Sequence, residues 1–283
     1  MIDEIIFIYS FCHDLLRELG FVDDNQCKMN AAEIMTVAFV GALYFQGNHT
    51  LAMRFLKDHL YIVHMLSKSR FNRRVHAIDF DFWQIIFSAL KTALAKTKKD
   101  FEYVVDSFPV EACHTARSYR CKILRGKGFI GYCAAKKKYY YGVKVHMITT
   151  TLGAPVEFLI TPASIADITA LKAMQIDVRF GAVLYGDKAY TDYSFEDMLR
   201  DSMDVRLIPQ RKSCLRRQHS GPLGYLQSVC RKRIETVFSQ ITRTFPKSIR
   251  AVTRRGFILR ILLFVIAYTL MIVHKDSALA KTC

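Results

Sequence analysis

Two apolar runs that each deliver a carboxylate constrain this chain more than any other feature. Ala182-Val183-Leu184-Tyr185-Gly186-Asp187-Lys188-Ala189-Tyr190 is apolar as far as Gly186 and breaks off at Asp187, and Phe101-Glu102-Tyr103-Val104-Val105-Asp106-Ser107-Phe108-Pro109 carries Asp106 inside a run of the same kind. Short apolar runs of this length read as buried strands, and an open α/β sheet places its ligands outside the carboxyl ends of its strands. An acid at a strand end is also an ordinary turn or cap residue. An ionised carboxylate within a buried run, however, needs a cation or hydrogen-bond donors to offset its desolvation. A third acid, Glu235 in Arg231-Lys232-Arg233-Ile234-Glu235-Thr236-Val237-Phe238, is the only acid between Asp204 and Asp276. Three carboxylates from separate elements in an otherwise basic region suggest a divalent-metal site.

The charge around them is uneven. Of 41 Lys and Arg against 25 acids, residues 1–98 hold 11 bases and 10 acids, so almost the whole formal charge of +16 lies in the rest of the chain. Residues 112–156 contain nine bases and no acid, and residues 205–234 contain eight and no acid. Acid-free stretches beside carboxylates fit a polyanion lying across the site, with phosphates as the natural partner. A solvated basic surface would explain the charge but not the missing acids. With 51% hydrophobic residues over 283 positions the chain has ample material for a packed core and is not a disordered protein. The eight cysteines include no Cys-x-x-Cys pair, and Met1-Ile2-Asp3-Glu4 lacks a basic leader, so the thiols are expected to be reduced and the protein cytoplasmic. Cys113-His114, Cys121 and Cys133 can be drawn as a zinc site, but their spacings match no standard knuckle.

The first hundred residues read as helices: an amphipathic one from about Ile2 to Leu19 stopped by Gly20, a second opened by the capping-box sequence Asn30-Ala31-Ala32-Glu33 and running to about Phe45, and a third near Thr50 to Val63. The second and third, joined by Gly47-Asn48-His49, share the outline of a helix-turn-helix and of an ordinary helical hairpin. Lys68-Ser69-Arg70-Phe71-Asn72-Arg73-Arg74 is a basic patch with one aromatic. Asp79 then caps a helix with apolar positions Phe82, Ile85, Ile86, Ala89, Leu90, Ala93 and Leu94.

Past Lys96-Thr97-Lys98-Lys99-Asp100 the periodicity switches to strands: about 101–110, 139–151, 156–160, the run ending at Asp187, and 205–209. Ser164-Ile165-Ala166-Asp167 reads as a capping box for a helix to about Ile176, which explains Asp167 structurally and leaves it out of the site. A short helix follows near 193–200. Leu226, Cys230, Ile234, Val237, Ile241 and Phe245 then make a helical stripe, with Glu235 at its border. Residues 256–273 are strongly apolar, but only thirteen uncharged residues lie between Arg260 and His274, which predicts a buried packing helix and no membrane span. Gly126-Lys127-Gly128-Phe129-Ile130-Gly131 matches the dinucleotide fingerprint by letter. It leads into a strand with no acid before Glu157, so it predicts a flexible basic loop and no nucleotide cofactor.

Three strands, a helix, a strand, a helix, a strand and a helix is the order of the ribonuclease H-like fold. The expected architecture is therefore α/β: a five-stranded mixed sheet with flanking helices over residues 99–275, preceded by an all-α domain over 1–98 and followed by a tail, 276–283. In that order Asp106 and Asp187 sit on adjacent strands and Glu235 lies over the same edge, so the three carboxylates are expected to converge within metal-bridging reach. Hard oxygen ligands select Mg²⁺ or Mn²⁺, and two such ions about 4 Å apart drive in-line phosphoryl transfer.

The chain resembles the bacterial insertion-sequence transposases with a D…D…E catalytic domain. The likeness rests on Val105-Asp106-Ser107-Phe108-Pro109, Tyr141-Gly142-Val143-Lys144-Val145-His146, Gly186-Asp187-Lys188-Ala189-Tyr190 and Arg231-Lys232-Arg233-Ile234-Glu235. It implies that Asp106, Asp187 and Glu235 hold the metals. It also implies that the protein, as a homodimer, cuts and rejoins double-stranded DNA at the inverted-repeat ends of its own element. Many relatives carry Tyr-x-x-Arg-x-x-x-Glu-x-x-x-x-x-x-Lys on the last helix; here Arg231 and Glu235 fit, while Ser228 and Thr242 stand at the Tyr and Lys positions. Lys144, His146, Lys188, Arg231, Lys232, Arg73 and Arg74 are the expected DNA contacts. A nuclease of the same fold that cuts without joining stays open. A non-catalytic DNA-binding derivative would leave the three acids without a role.

Overall fold

The structure is a computed structural model that describes residues 1–97, 101–134, 136–211, 216–246 and 249–280; the side chains at 96, 97, 231, 233, 234, 244 and 277–280 lie outside that description. Packing divides the chain into a helical unit drawn from Met1–Thr97, Arg243–Ile249 and Arg255–Cys283, and a sheet unit drawn from Lys98–Thr242 and Arg250–Arg254.

The helical unit contains α1 (Ile2–Glu18), α2 (Ala31–Tyr44), α3 (His49–Asp58), α4 (Lys68–Ala77), α5 (Phe80–Thr97) and nearly all of α9 (Arg254–Ala280). The capping box of α2 forms as read: Asn30 Oδ1 accepts the Glu33 N–H at 2.7 Å and Glu33 Oε2 accepts the Asn30 N–H at 2.8 Å. Two readings shift. The third helix ends at Asp58, where His59 caps it and Leu60 turns to φ +59°, and the basic patch is itself the helix α4, held inward by Phe71 and Val75. In α5 the buried stripe runs through Trp83, Ile86, Phe87, Leu90 and Leu94, while Ile85 is 44% exposed. Trp83 sets this phase by packing edge-on against Phe39.

α9 carries a 23-residue stretch, Arg254–Asp276, that is long and apolar enough to cross a membrane, and 72% of its most apolar window is buried in the protein. Within its own unit Arg260 donates to the Gly47 carbonyl at 3.0 Å and Phe264 packs on Phe245. The helix thus belongs by packing with the N-terminal helices, not with the sheet, and it continues through Ala280 where the sequence reading set a tail.

The sheet unit is mixed. The strands are β1 (Glu102–Cys113), β2 (Ile130–Cys133), β3 (Lys138–Thr150), β4 (Pro155–Pro162), β5 (Val183–Gly186) and β6 (Arg206–Pro209). β3 lies antiparallel to β1, and β2 and β4 share its other edge; β5 runs parallel to β1, and β6 parallel to β5. Without β2 this is the five-stranded order expected. The sixth strand comes from the glycine-rich stretch read as a flexible loop, which is instead ordered. Gly126 takes φ +103°, and a side chain at Gly131 would collide at 2.8 Å with Ala163 and the Tyr140 ring. Those glycines serve backbone geometry.

Alternation sorts the sheet residues onto two faces. Tyr103, Val105, Ile148, Leu184 and Leu207 pack with Leu171 of α6 (Asp167–Ala173) and Phe195 and Leu199 of α7 (Tyr193–Met203). On the other face Tyr185 and Ile208 pack with Cys230 of α8 (Gly221–Thr244), and Phe108 meets Phe238 of that helix with ring centroids 6.0 Å apart.

Candidate active site

The parallel pairing of β1 with β5 sets Val104 opposite Tyr185. Carried two residues past that last pair, the same register would set Asp106 beside Asp187, which lies one residue beyond the end of β5, at a strand spacing of about 4.8 Å. Asp106 shares its face with Phe108, and the extended backbone at Asp187 (φ −80°, ψ −176°) carries the alternation on from Tyr185. Both acids therefore belong to the α8 face. The half-buried Asp106 accepts the Ser107 N–H on Oδ1 at 2.7 Å. Asp187 is exposed, and its Oδ1 accepts the Ala189 N–H at 2.8 Å, capping the 3₁₀ turn Lys188–Tyr190. The turn-cap role that any strand-end acid could have is thus filled, and it leaves the second carboxylate oxygen outside that bond.

α8 is anchored by Gln227, Cys230, Val237, Phe238 and Ile241. Cys230, Val237 and Ile241 of the expected stripe are buried as read, and its first position shifts, with Leu226 46% exposed and Gln227 buried in its place. The physical reason is polar: Gln227 Nε2 donates at 3.4 Å to the Gly186 and Ile208 carbonyls at the strand ends, which an aliphatic side chain could not satisfy. Glu235 is exposed, one turn before Phe238, on the helix that covers the Asp106 face. Asp106 and Asp187 thus lie on the side of the sheet that α8 packs against, and Glu235 is carried on α8 itself. Yet among the described residues no three His, Cys, Asp or Glu side chains come close enough together to hold an ion. The donor chemistry fits a hard divalent cation, with Asp106 and Asp187 as the pair from β1 and the end of β5 and Glu235 on the covering helix.

The opposite face corrects the reading of Asp167. Ala166 takes the N-cap position of α6 and no side chain caps it. The Asp167 carboxylate instead accepts from Ser107 Oγ at 2.8 Å and Lys144 Nζ at 3.1 Å, and lies 3.5 Å from His146 Nδ1. Lys144 also donates to the Ile165 carbonyl at 3.1 Å, and His146 Nε2 bonds with Thr161 Oγ1 at 2.9 Å. Burial pushes His146 down to about 4, against the opposing pull of Asp167. Burial likewise holds the Tyr190 phenol well above its ordinary range, helped by Asp167, Asp106 and Asp187.

Lys144 and His146, expected at the DNA, are therefore spent behind the sheet, the histidine with no exposed side-chain surface. Sequence carried a signal for this. A lysine and a histidine alternating on one face of an apolar strand call for buried polar partners, and the lysine ammonium calls for an acid.

Of the other expected contacts, Lys188, Lys232 and Arg73 are exposed. Arg74 is turned to Asp23 and Cys27 within the helical unit. The Arg231 side chain lies outside the described residues. Cys113 and Cys121 are free and adjacent, burial and its neighbour raising the Cys113 thiol to about 11, and they join no metal cluster among the described residues.

Comparison with known proteins gives one positive result, a family model described as the transposase DDE domain, which matches residues 99–270. No curated protein matches, and no solved structure does. The match spans the whole sheet, α6, α7 and α8, and with them Asp106, Asp187 and Glu235. On that coverage, and with a six-stranded mixed sheet flanked by helices together with a helical N-terminal region in the chain, the protein belongs to the DDE-domain transposases and has their ribonuclease H-like fold.

Proposed function

We propose that the protein is a metal-dependent DNA transposase that cleaves and joins double-stranded DNA at the inverted-repeat ends of an insertion sequence. The observation that supports this reading is the parallel pairing of β1 with β5, which carries Asp106 within one strand and Asp187 just past the end of the other towards the face that α8 packs against. These three would hold Mg²⁺ or Mn²⁺, as two ions, which when bound activates the attacking oxygen and neutralises the departing one. The protein's own part is placement. Phe108 against Phe238 and Gln227 on the strand-end carbonyls hold α8 over β1 and β5. The exposed Lys188 and Lys232 supply cations for phosphates beside the acids. Arg70 and Arg73 on the exposed side of α4 offer a second cationic surface, by which residues 1–98 would engage DNA. A homodimer on paired ends, acting in the cytoplasm, completes the reading.

The test measures cleavage and strand joining separately on a duplex bearing the element end. Both should occur in Mg²⁺ with the wild type and vanish together in Asp106→Asn, Asp187→Asn and Glu235→Gln. Cleavage without joining would reassign the chain as a nuclease, and undiminished cleavage by Glu235→Gln would reject the three-acid site.

A further inference from the structure

We infer that Asp167 is a positioning residue for this site, acting from behind the sheet through Ser107 on the Asp106 carboxylate; the inference rests on the three-acid reading above.

The connection is short. Ser107 follows Asp106 on β1 and points to the opposite face, where its hydroxyl donates to Asp167 Oδ1 at 2.8 Å. Its own N–H donates to Asp106 Oδ1 at 2.7 Å. One residue therefore ties the acid in front to the acid behind, and the orientation of the Ser107 peptide sets the orientation of the Asp106 carboxylate.

Asp167 is fixed in turn. Lys144 Nζ binds its carboxylate and the Ile165 carbonyl, both at 3.1 Å, which pins the first turn of α6 to β3. His146 is wedged beside it and bonded to Thr161. The cluster also lies against Tyr190, the last residue of the turn that Asp187 caps, and Gly186 lets that ring approach: a side chain there would meet it at 3.1 Å. The two strands that deliver the acids are thus braced from one point.

A cluster needed only for core cohesion could sit anywhere under α6 and α7, where the surrounding contacts are largely apolar. This one lies directly behind the acid of β1 and beside the turn after β5. Groups that orient metal-binding side chains in this way typically alter affinity or activity by about 10–100-fold when removed.

The experiment uses the full chain with Asp167→Asn, Ser107→Ala, their combination and Asp106→Asn as the reference. Four quantities are read: the melting temperature, Mn²⁺ binding to the DNA-free protein by calorimetry, the KM for end DNA, and kcat for cleavage. Asp167→Asn and Ser107→Ala should each weaken Mn²⁺ binding and lower kcat by about tenfold or more, with KM unchanged, and the double variant should be no worse than the poorer single. A merely structural role would lower the melting temperature and leave Mn²⁺ affinity and kcat of the folded protein as in the wild type. That result overturns the inference.

Should Asp167→Asn not fold, Ser107→Ala, which removes one hydroxyl, decides alone. An inactive Asp106→Asn beside a fully active Ser107→Ala defeats the positioning role only. A fully active Asp106→Asn defeats the three-acid reading and this inference with it.

Discussion

The two faces of the sheet treat charge in opposite ways. Behind it, under α6 and α7, Asp167, Lys144, His146 and Ser107 form a closed set, and Glu196 and Arg211 make a second pair whose side chains are only 6% and 5% exposed. In front, Asp187 and Glu235 are exposed and Asp106 is half-buried, close to Lys188 and Lys232 in sequence but not gathered into one cluster. Charges that serve the fold are desolvated and matched within the chain, because an unmatched one there would cost more than the fold can spare. Charges that serve a ligand keep access to solvent. The difference predicts that front-face substitutions change activity while sparing stability, and that back-face substitutions do the reverse, except where the back reaches the front through Ser107.

The largest effect should come from the front. Replacing Asp106, Asp187 or Glu235 by its amide keeps volume and removes one ligand charge, and cleavage should fall by about three orders of magnitude or more in each. Doubles should be scarcely worse, since residues serving one site are strongly non-additive. Melting temperature and end-DNA binding should stay near the wild type. Variants that lost cleavage only in proportion to a lost fold would place these acids with the structural set and erase the distinction between the faces.

The back face should answer in stability. Arg211 holds Glu196 with two hydrogen bonds, one of them Nη1 to Oε1 at 2.8 Å, joining α7 to the segment after β6. Glu196→Gln leaves the guanidinium buried without its counter-charge and should cost about 3–5 kcal/mol. Denaturant unfolding measures it. A cost below about 1 kcal/mol would mean that the pair behaves like a surface contact.

Smaller again is the pH response. His146 is held neutral, its folded value near 4 against an ordinary 6.5, chiefly by burial. Between those values the unfolded chain binds the extra proton, so stability is lost as pH falls from about 6.5 to about 4, by at most about 3 kcal/mol. His49 in the helical unit is lowered to about 4 by burial and by Arg260, and adds a loss of the same sign. His146→Gln should therefore flatten, without abolishing, the slope of melting temperature against pH in that window. An unchanged slope would show that the back-face histidine titrates normally.

Much of this was legible in the sequence, and the exceptions share a cause. Strands β1, β3, β5 and β6 stood out because each is an apolar run bounded by turn residues, and Asn30 with Glu33 named its own cap. What failed were positions where a local rule had a tertiary competitor. The Ser164 to Asp167 pattern is a good capping box, but Lys144, 23 residues earlier, outbid the helix end for the carboxylate. Leu226 fitted the stripe of α8, but two strand-end carbonyls required Gln227 on the inner side. The apolar run of α9 announced a buried packing helix, but hydropathy reports that a helix is buried and not against what, and its partners are the N-terminal helices. Asp106 and Asp187 were singled out as candidates by their oddity within apolar runs. Lys144 and His146 had the same oddity, and the partner for both proved to be internal.

The smallest expected effect tests whether the front-face cations belong with the front-face acids. Lys188 and Lys232 are exposed, one on the turn after Asp187 and the other one turn before Glu235 on α8. If DNA lies across the acids, each contacts a phosphate. Lys188→Gln or Lys232→Gln should then weaken end-DNA binding severalfold and take about 0.9 off the log–log salt slope, with little dependence on DNA sequence. Lys144→Gln makes the contrast, because its ammonium is committed to Asp167 and Ile165: it should leave the slope as in the wild type and lower the melting temperature instead. A slope reduced by Lys144→Gln and untouched by the two exposed lysines would move the DNA to the other side of the sheet.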